Sequence, residues 1–310
     1  MSAVRTPRHE VAPTAIPKAL RALWNECCSG EQGSSVSRAL TQNLLVLGDA
    51  ARERELRQVL DALAARLPCR AFLALLTPGG RELSATVHGA AREHGSIRDL
   101  VLEQIELRVP QAAFAQLPGV VRPLLVNDIP THCYWASPWP DDPRRFDALA
   151  KLAEHTIVDS ARFALPATEL DALEARRRAG TRITDLTWLR LRPWRRALAE
   201  VLERTGYRSE VATAVTIRHG DDALAPAALL GRWLERRLEA EVALEPAGEP
   251  GPGLRAVELH HGDATATATL VDDARVRTQI ETAQACYLPF SVPASRGSEA
   301  SLLAAAIDMA

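Results

Sequence analysis

Short apolar runs alternate with amphipathic stretches between about residues 41 and 160. Residues 41–48 and 69–76 are short, mainly apolar runs followed by turn residues, a pattern typical of buried strands. The stretch between these runs places four apolar side chains on one helical face: Leu56, Val59, Leu60 and Leu63. Strands that alternate with helices at such spacings predict crossover connections and a mainly parallel sheet.

The same pattern predicts the neighbouring elements. It predicts a helix over residues 16–27 outside the core. Residues 97–109 fit a strand, a helix or both in turn, and the pattern favours a strand over the second half. The run VVRPLLVNDIP predicts a further strand, and THCYWASPWPDDP after it predicts a long aromatic loop. Asp142 followed by Pro143 predicts the start of a helix, because aspartate caps well and proline fits the first helical position.

The pattern changes after about residue 180. A short turn or helix is predicted over residues 185–191, a helix from Pro193 to about Arg204, and another helix over residues 226–238 with Trp233 facing inward. Segments that alternate like half-buried antiparallel strands and a last helix complete this part. We therefore expect an N-terminal, partly flexible lead-in over residues 1–40. An α/β domain with a mixed, mainly parallel three-layer sheet would follow over residues 41–180, and a smaller α+β domain over residues 181–310.

Composition indicates the cellular compartment of the protein and excludes some classes of partner. The formal net charge is −2 over 310 residues, so the chain has no global field for nucleic acid. No apolar run is long enough for a membrane helix, and the N-terminus has no apolar signal region. The five cysteines form no CxxC motif. We expect a cytoplasmic protein that binds neither nucleic acid nor membrane.

A search for catalytic and cofactor motifs is negative. Gly48 stands alone before Asp49, so the glycine-rich dinucleotide fingerprint is missing, and no phosphate-binding P-loop is present. His260 and His261 are neighbours on a predicted strand and would point to opposite faces, which argues against a shared metal ion. We expect no catalytic residues, no cofactor and no bound metal.

An aromatic stretch beyond a predicted strand is the first candidate site. It contains Asp128, Tyr134, Trp135 and Trp139. In open α/β sheets, ligands and partners meet the carboxyl ends of strands. These rings could cover the sheet edge, or they could form an interaction hot spot, in which tryptophan and tyrosine are enriched.

A second candidate site combines a strand end with an arginine-rich and tryptophan-rich segment. Its members are Asp159, Ser160, Asp185, Trp188, Arg190, Arg192, Trp194 and Arg195. In the predicted helix Trp194 faces inward, while Arg195 points elsewhere and could meet an acidic partner. The alternative is a solvated helix face with a buried tryptophan.

The ordered blocks PLLVNDIPTHCYW, HTIVDSARF and DLTWLRLRPWRRALAEV resemble the OpcA family of glucose-6-phosphate dehydrogenase assembly proteins. NLLVL, LPCRAFLAL and LLGRWLERRL resemble that family at matching places. One departure is Tyr134-Trp135, where the family often has two tryptophans. The resemblance implies a non-catalytic protein that binds the dehydrogenase, aids its assembly and activates it allosterically in the oxidative pentose phosphate pathway.

Both candidate sites would then help to form the surface that meets the dehydrogenase. The alternative hypothesis is an α/β enzyme or a protein that binds a sugar phosphate or nucleotide. Such a protein would use the crevice at the carboxyl edge of the sheet, with Asp128, Asp159 and nearby arginines holding the ligand.

Overall fold

The structure is a computed structural model that describes residues 3–28, 35–38, 40–64, 66–94, 97–204, 213–248, 253–272, 274–283, 286–294 and 297–310. The chain forms two compact units. Unit 1 comprises Met1–Val158, Ala179–Thr184 and Glu299–Ala310. Unit 2 comprises Asp159–Arg178 and Asp185–Ser298. The chain thus leaves unit 1 twice and returns to it with its last helix.

The strands, in chain order, are β1 Ala3–Arg5, β2 His9–Val11, β3 Ser35–Arg38, β4 Gln42–Asp49, β5 Cys69–Thr77, β6 Ser84–His94, β7 Ile97–Pro110, β8 Thr131–Trp135, β9 His155–Val158, β10 Ile183–Asp185, β11 Thr213–His219, β12 Glu241–Pro246, β13 Leu254–His261, β14 Ala264–Val271, β15 Arg275–Glu281 and β16 Cys286–Pro293. The α-helices are α1 Ile16–Cys28, α2 Glu53–Ala64, α3 Leu117–Val121, α4 Pro143–Ala150, α5 Pro166–Arg178, α6 Leu186–Arg190, α7 Arg192–Arg204, α8 Leu224–Leu238 and α9 Glu299–Asp308.

Unit 1 contains a ten-stranded mixed sheet. Its main order is β1-β6-β7-β5-β4-β8-β9-β10, with β2 paired to β6 and β3 paired to β7. The pairs from β7 through β5, β4 and β8 to β9 are parallel, whereas β6 runs antiparallel to β7. In β4 the side chains from Leu44 to Leu47 are all buried, as expected for a parallel strand that is covered on both faces. The predicted α/β class is confirmed.

Two neighbouring sequence predictions are wrong. The run VVRPLLVNDIP forms no strand; it contains the end of α3 and a 3-10 helix over Arg122–Leu124. The strand is β8, which lies inside the predicted aromatic loop and pairs in parallel with β4. All five residues of β8 are buried, so its aromatic rings belong to the core and not to an exposed loop.

Three other predictions concern unit 1. The predicted helix over residues 16–27 is confirmed as α1, but it belongs to the core because Ile16 and Leu23 are fully buried. The strand predicted for part of residues 97–109 spans the whole of β7. The start of α4 is confirmed, since the Asp142 side chain accepts a hydrogen bond from the Arg144 amide.

Unit 2 contains a six-stranded sheet in the order β12-β11-β13-β14-β15-β16. The β11–β12 pair is parallel and the other pairs are antiparallel. Helix α8 contacts β11 and β12, and α7 contacts β14, β15 and β16. One core joins these helices to the sheet through Leu198, Val201 and Leu234. Among the described helices, none is long and apolar enough to span a membrane.

A buried carboxylate in unit 1 connects the N-terminal arm to the sheet. Glu106, on β7, accepts hydrogen bonds from Arg57 Nε at 2.9 Å and from Gln104 Nε2 at 2.9 Å, and it is paired with Arg8 and His88. Burial would raise the pKa of this carboxyl group, but hydrogen bonds from His88 and Arg57 and the charges of Arg57 and Arg8 lower it to about 2. The folded state therefore stabilises the ionised Glu106 carboxylate relative to its protonated form.

This lowered pKa predicts an acid dependence of stability. Between about pH 4.5 and pH 2 the unfolded chain binds the Glu106 proton more tightly than the folded chain, so the free energy of unfolding falls as the pH falls. Above that window the contribution is fully present. Urea unfolding between pH 2 and pH 6 should show a shallower dependence for Glu106→Gln than for the wild type. Equal slopes for both proteins would contradict this prediction, and exposed Glu10→Gln is the matched control.

Candidate protein-interaction site

Asp159 and Arg190 form a buried ion pair at the start of unit 2. Asp159 directly follows β9, and a 3-10 helix over Ser160–Arg162 begins after it. Arg190, the last residue of α6, donates from Nη1 to Asp159 Oδ1 at 2.5 Å and from Nη2 to Oδ2 at 2.9 Å. Thr187 Oγ1 also donates to Asp159 Oδ1 at 3.0 Å. Such a two-point geometry is the strongest that arginine and carboxylate adopt.

Backbone hydrogen bonds attach the same loop to the start of α6. Asp185 caps this helix, because its Oδ1 accepts from the Thr187 amide at 2.9 Å and from the Ser160 amide at 3.1 Å. Thr187 Oγ1 accepts from the Ala161 amide at 2.8 Å. We call Asp159, Ser160, Asp185, Thr187 and Arg190 the Asp159–Arg190 cluster. It fixes the position from which the tryptophan-rich segment continues.

The two carboxyl groups of the cluster differ in protonation behaviour. Burial would raise the pKa of Asp159, but the hydrogen bonds and charge of Arg190, with the charge of Arg162, lower it overall. Asp185 has no cationic partner among the described residues, so burial raises its pKa while hydrogen bonds from Ser160 and Thr187 oppose the shift. The pair Asp159–Arg190 is thus ionised and internally neutral.

The cluster lacks the parts of a nucleophilic site. A serine nucleophile requires an adjacent general base and access to substrate. Ser160 is fully buried, and within the described chain no histidine or lysine hydrogen-bonds to it. The described residues also contain no group of three or more metal-ligating side chains that could hold an ion. The geometry is that of a structural connection.

Trp188, Arg195 and Trp233 form a second, more accessible arrangement, which we call the Trp188–Arg195 stack. The Arg195 guanidinium lies 3.7 Å from the centre of the Trp188 ring, and its Nη2 donates to the Trp188 carbonyl at 3.2 Å. Trp233, on α8, meets Trp188 edge to face with 6.3 Å between ring centres. All three side chains are partly exposed.

Arg195 has no carboxylate within salt-bridge distance in the described part of the chain, and its Nε is buried without a hydrogen-bond acceptor. Burial lowers its pKa, with a further contribution from the charge of Arg192. A guanidinium that is stacked, partly desolvated and without a counter-ion is suited to receive a carboxylate from another molecule.

The remaining members of this segment divide between core and surface. Trp194 is 6% exposed and belongs to the core of unit 2, as its helical position predicts. Arg192 and its neighbour Arg196 are exposed. The surface of the segment is therefore formed by Trp188, Arg192, Arg195 and Arg196.

The four residues of the aromatic stretch lie in unit 1. Tyr134 and Trp135 are buried in β8, and Trp135 Nε1 donates to the Pro138 carbonyl at 2.9 Å. Trp139 is half-buried and stacks on Phe146 of α4, with 4.8 Å between ring centres. Asp128 is exposed in a turn with φ of 65°. In this structure, Tyr134 and Trp135 offer no contact surface.

The order of the parallel strands reverses between β4 and β8, where open α/β sheets usually bind ligands. Here Arg52 crosses from the end of β4 and donates from Nη1 to the Ala136 carbonyl, just after β8, at 2.7 Å. It also donates two hydrogen bonds to Glu299 of α9, at 2.8 and 3.1 Å. Tyr134 Oη donates to the same carboxylate at 2.6 Å. We call Arg52, Tyr134 and Glu299 the Arg52 network.

The residues at this reversal do not fit a dinucleotide. A pyrophosphate needs a close backbone approach and a helix N-terminus without negative charge. A Cβ atom on Gly48 would lie 2.1 Å from Leu56 Cδ1, so the space beside this glycine is filled by α2 itself. The first turn of α2 carries Glu53 and Glu55, which would repel phosphate.

Sequence reasoning missed four residues that complete these arrangements: Arg52, Thr187, Trp233 and Glu299. Helical spacing predicts that Trp233 faces inward, but its contact with Trp188 joins two helices, α8 and α6. Thr187 and Glu299 act through side-chain hydrogen bonds to residues 28 and 165 positions away. No local pattern marks such pairs.

Comparison with known protein families gives two matches in consecutive parts of the chain. A family model described as the glucose-6-phosphate dehydrogenase subunit N-terminal domain matches residues 60–175. A second, described as the C-terminal domain of the same subunit, matches residues 181–309. Together the two models cover most of the chain.

Two curated relatives carry the name OxPP cycle protein OpcA. The one from Nostoc punctiforme is 30% identical over 188 residues, and the one from Synechocystis sp. is 26% identical over 186 residues. The alignments cover 59% and 58% of this chain, but 40% and 39% of the relatives. The chain therefore spans about two fifths of the length of these relatives.

Solved structures with a similar chain fold are oxidoreductases. A 3-ketoreductase from Actinomadura kijaniata, in complex with NADP and TDP-benzene, is 12% identical with a TM-score of 0.48, over 86% of this chain and 87% of that one. A biliverdin reductase from Synechocystis sp., in complex with biliverdin and NADP+, is 11% identical with a TM-score of 0.43, over the same shares.

Proposed function

The chain belongs to the OpcA family, and from this premise we propose that it is a non-catalytic partner of glucose-6-phosphate dehydrogenase. In this proposal it binds the dehydrogenase in the cytoplasm, aids its assembly and activates it allosterically in the oxidative pentose phosphate pathway. NADP and glucose 6-phosphate bind to the dehydrogenase and not to this chain.

The observation that carries the proposal is the state of Arg195. It is stacked on Trp188, partly buried, and without a carboxylate partner in the described residues. Tryptophan and arginine are the residues most enriched in interface hot spots, where a charge is paired as water is removed. We propose that an acidic side chain of the dehydrogenase pairs with Arg195 and that Trp188 and Arg192 border this contact.

The two clusters have different roles in this proposal. The ion pair in the Asp159–Arg190 cluster is internally neutral, and the cluster positions α6, which carries Trp188. It would act through the stack rather than by touching the dehydrogenase. The aromatic stretch would contribute only through Asp128 and Trp139, because Tyr134 and Trp135 are buried.

Activation requires a difference in binding free energy between two states of the dehydrogenase. A partner shifts a conformational equilibrium only by as much as it binds one state more tightly than the other. Typical allosteric coupling amounts to about 1–3 kcal/mol. A single hot-spot arginine that pairs only in the active state is sufficient to supply a coupling of that size.

The Arg52 network supports a non-catalytic role. It places the chain's own side chains at the point where an α/β enzyme would bind its ligand, and the adjacent helix start is acidic. The alternative of a nucleotide-binding enzyme needs phosphate contacts at this place, and the residues present do not fit them.

Arg195→Ala is expected to weaken binding to the host's glucose-6-phosphate dehydrogenase about 30-fold, the equivalent of about 2 kcal/mol for a hot-spot residue. Titration of the dehydrogenase with wild type and variant, followed by binding and by activity at low glucose 6-phosphate, measures the effect. Arg195→Lys should recover little, because lysine keeps the charge but loses the planar stacking on Trp188.

The neighbouring exposed Arg196 offers a matched control in the same helix. Arg196→Ala removes an equal charge without touching the stack, so it should bind and activate like the wild type. If Arg195→Ala behaves like Arg196→Ala, the proposed surface is wrong although the family function can stand. If the wild type neither binds the dehydrogenase nor changes its kinetics, the proposed function itself is wrong.

A further inference from the structure

The six-stranded sheet of unit 2 has one polar face, which we call the threonine face. On β14 and β15, alternate residues point to this face: Thr265, Thr267, Thr269, Arg277, Gln279 and Glu281. The strand register places Thr267 beside Gln279, with Arg277 toward one end and Glu281 toward the other. The side chains between them, such as Ala266 and Val276, are buried on the opposite face.

No described helix covers the threonine face. Helices α7 and α8 pack on the apolar side of the sheet, where they share a core with Val276 and Ile280. The threonine face is a shallow, open depression of about 210 Å³. Arg277, Gln279 and Glu281 are all exposed. Threonine methyl groups make the centre of this surface partly apolar, which suits packing against another sheet.

The free edge of the sheet next to this face is protected against strand addition. The edge strand β16 contains Pro289 and Pro293, which lack backbone donors, and the β15–β16 pairing is irregular between Thr278 and Ile280. Beside this irregularity, Leu288 is 86% exposed. The accessible apolar surface here therefore favours contact through the face of the sheet and not through its edge.

The dimensions of the sheet match those of a stable interface. Six strands about 4.8 Å apart and eight residues of about 3.4 Å each give a face on the order of 650 Å² in projection. A standard protein–protein interface buries about 800 Å² of accessible surface on each partner. One sheet face, with Leu288 at its border, can supply that area.

The charges on β15 are self-complementary. Arg277 and Glu281 lie on either side of Gln279, about 14 Å apart along the strand. Arg277 makes no ion pair with any described residue. A two-fold axis through the region of Gln279 would bring Arg277 of one copy to Glu281 of the other, and Glu281 to Arg277. Sheets that pack face to face lie about 10 Å apart, which these long side chains span.

We propose that the threonine face is a homodimer interface, at which two copies of this chain pack their six-stranded sheets together around a two-fold axis near Gln279. This inference does not rest on the proposed function, since it involves only copies of this chain. It leaves the partly exposed Trp188–Arg195 stack outside the residues that form the threonine face.

Charge reversal tests the proposal on the full chain by sedimentation equilibrium between about 1 and 100 μM. We expect a dimeric wild type. Arg277→Glu and Glu281→Arg, each made alone, place like charges together twice in every dimer, so each should raise the dimer dissociation constant at least tenfold. The double variant restores both opposite-charge contacts and should return the constant to within about threefold of the wild type.

Two further variants control this experiment. Arg237→Glu changes an exposed arginine at the end of α8, away from the threonine face, and should leave the dimer unchanged. Gln279→Lys places like charges near the axis and should also weaken the dimer at least tenfold. This variant decides the question if thermal unfolding shows that a charge-reversal protein is misfolded.

Four results would overturn the proposal. One is a wild type that is monomeric at 100 μM, including one whose threonine face proves to bind the dehydrogenase. A second is a dimer that stays intact in all three variants, Arg277→Glu, Glu281→Arg and Gln279→Lys. A third is a folded double variant that stays dissociated, and a fourth is equal weakening by Arg237→Glu. Dissociation by the single reversals with recovery in the double variant would support it.

Discussion

Asp159→Ala is expected to lower the free energy of unfolding of unit 2 by about 3 kcal/mol. The substitution removes the two-point acceptor of Arg190 and the acceptor of the Thr187 hydroxyl from a buried position. Breaking a buried ion pair from one side costs about 3–5 kcal/mol. The lower end applies here because 26% of the Arg190 side chain is exposed and can be hydrated in the variant.

The same substitution should also reduce activation of the dehydrogenase, because it loosens the start of α6 and thus the position of Trp188. Urea unfolding followed by tryptophan fluorescence measures the first effect. Hydrogen exchange at the Ala161 and Thr187 amides, which are donors in the cluster, measures local loosening.

Asp171 provides a matched control for Asp159. It also forms an ion pair with an arginine in unit 2, Arg232, but its side chain is 74% exposed. Exposed pairs contribute about 0–1 kcal/mol, so Asp171→Ala should unfold almost like the wild type. Equal losses in the two variants would show that the buried pair has no special role in holding α6.

The elements that sequence predicts well are those whose signals are local. The helix after Asp142 begins where a capping aspartate and a proline at the first helical position predict it. Strands β4 and β5 coincide with the two mainly apolar runs. Helix α2 follows from the spacing of Leu56, Val59, Leu60 and Leu63, all of which are buried.

The error at β8 shows where local signals fail. The run before it is apolar enough for a strand, but a short apolar run is equally compatible with a buried helical segment. Two hydrogen bonds between the Asn43 side chain and the backbone of Val126 hold that segment next to β4 without strand pairing. Strand β8 forms further along, where Thr131–Trp135 pair with Asn43–Leu47, a contact that spans 88 residues.

The candidate sites show the same limit. Residue type and place at a strand end or in a helix predict Asp159, Asp185, Trp188, Arg190 and Arg195 as site residues. Sequence could not pair Asp159 with Arg190, 31 residues away, or show that this pair is internally satisfied. It also could not separate buried Tyr134 from exposed Asp128, because that distinction depends on which segment pairs with β4.

Arg52→Ala is expected to lower the free energy of unfolding of unit 1 by about 3 kcal/mol and to release α9 locally. Arg52 and Glu299 are only 13% and 11% exposed, and the substitution removes two hydrogen bonds to Glu299 and one to the Ala136 carbonyl. A buried carboxylate that loses the Arg52 cation is costly, because the hydrogen bond from the neutral Tyr134 hydroxyl does not replace that charge.

Hydrogen exchange separates the local effect from the global one. In Arg52→Ala, the acceleration of amide exchange relative to the wild type should be at least tenfold larger in α9 than in β4. The reason is that the helix loses the side-chain contacts that attach its first turn to the sheet. Arg54, exposed on the same helix as Glu53, supplies the matched control, and Arg54→Ala should change stability by less than about 0.5 kcal/mol. If the two variants unfold alike, the Arg52 network does not hold α9 at the strand-order reversal. The Arg52 network would then have no structural role at the position where α/β enzymes bind their ligands.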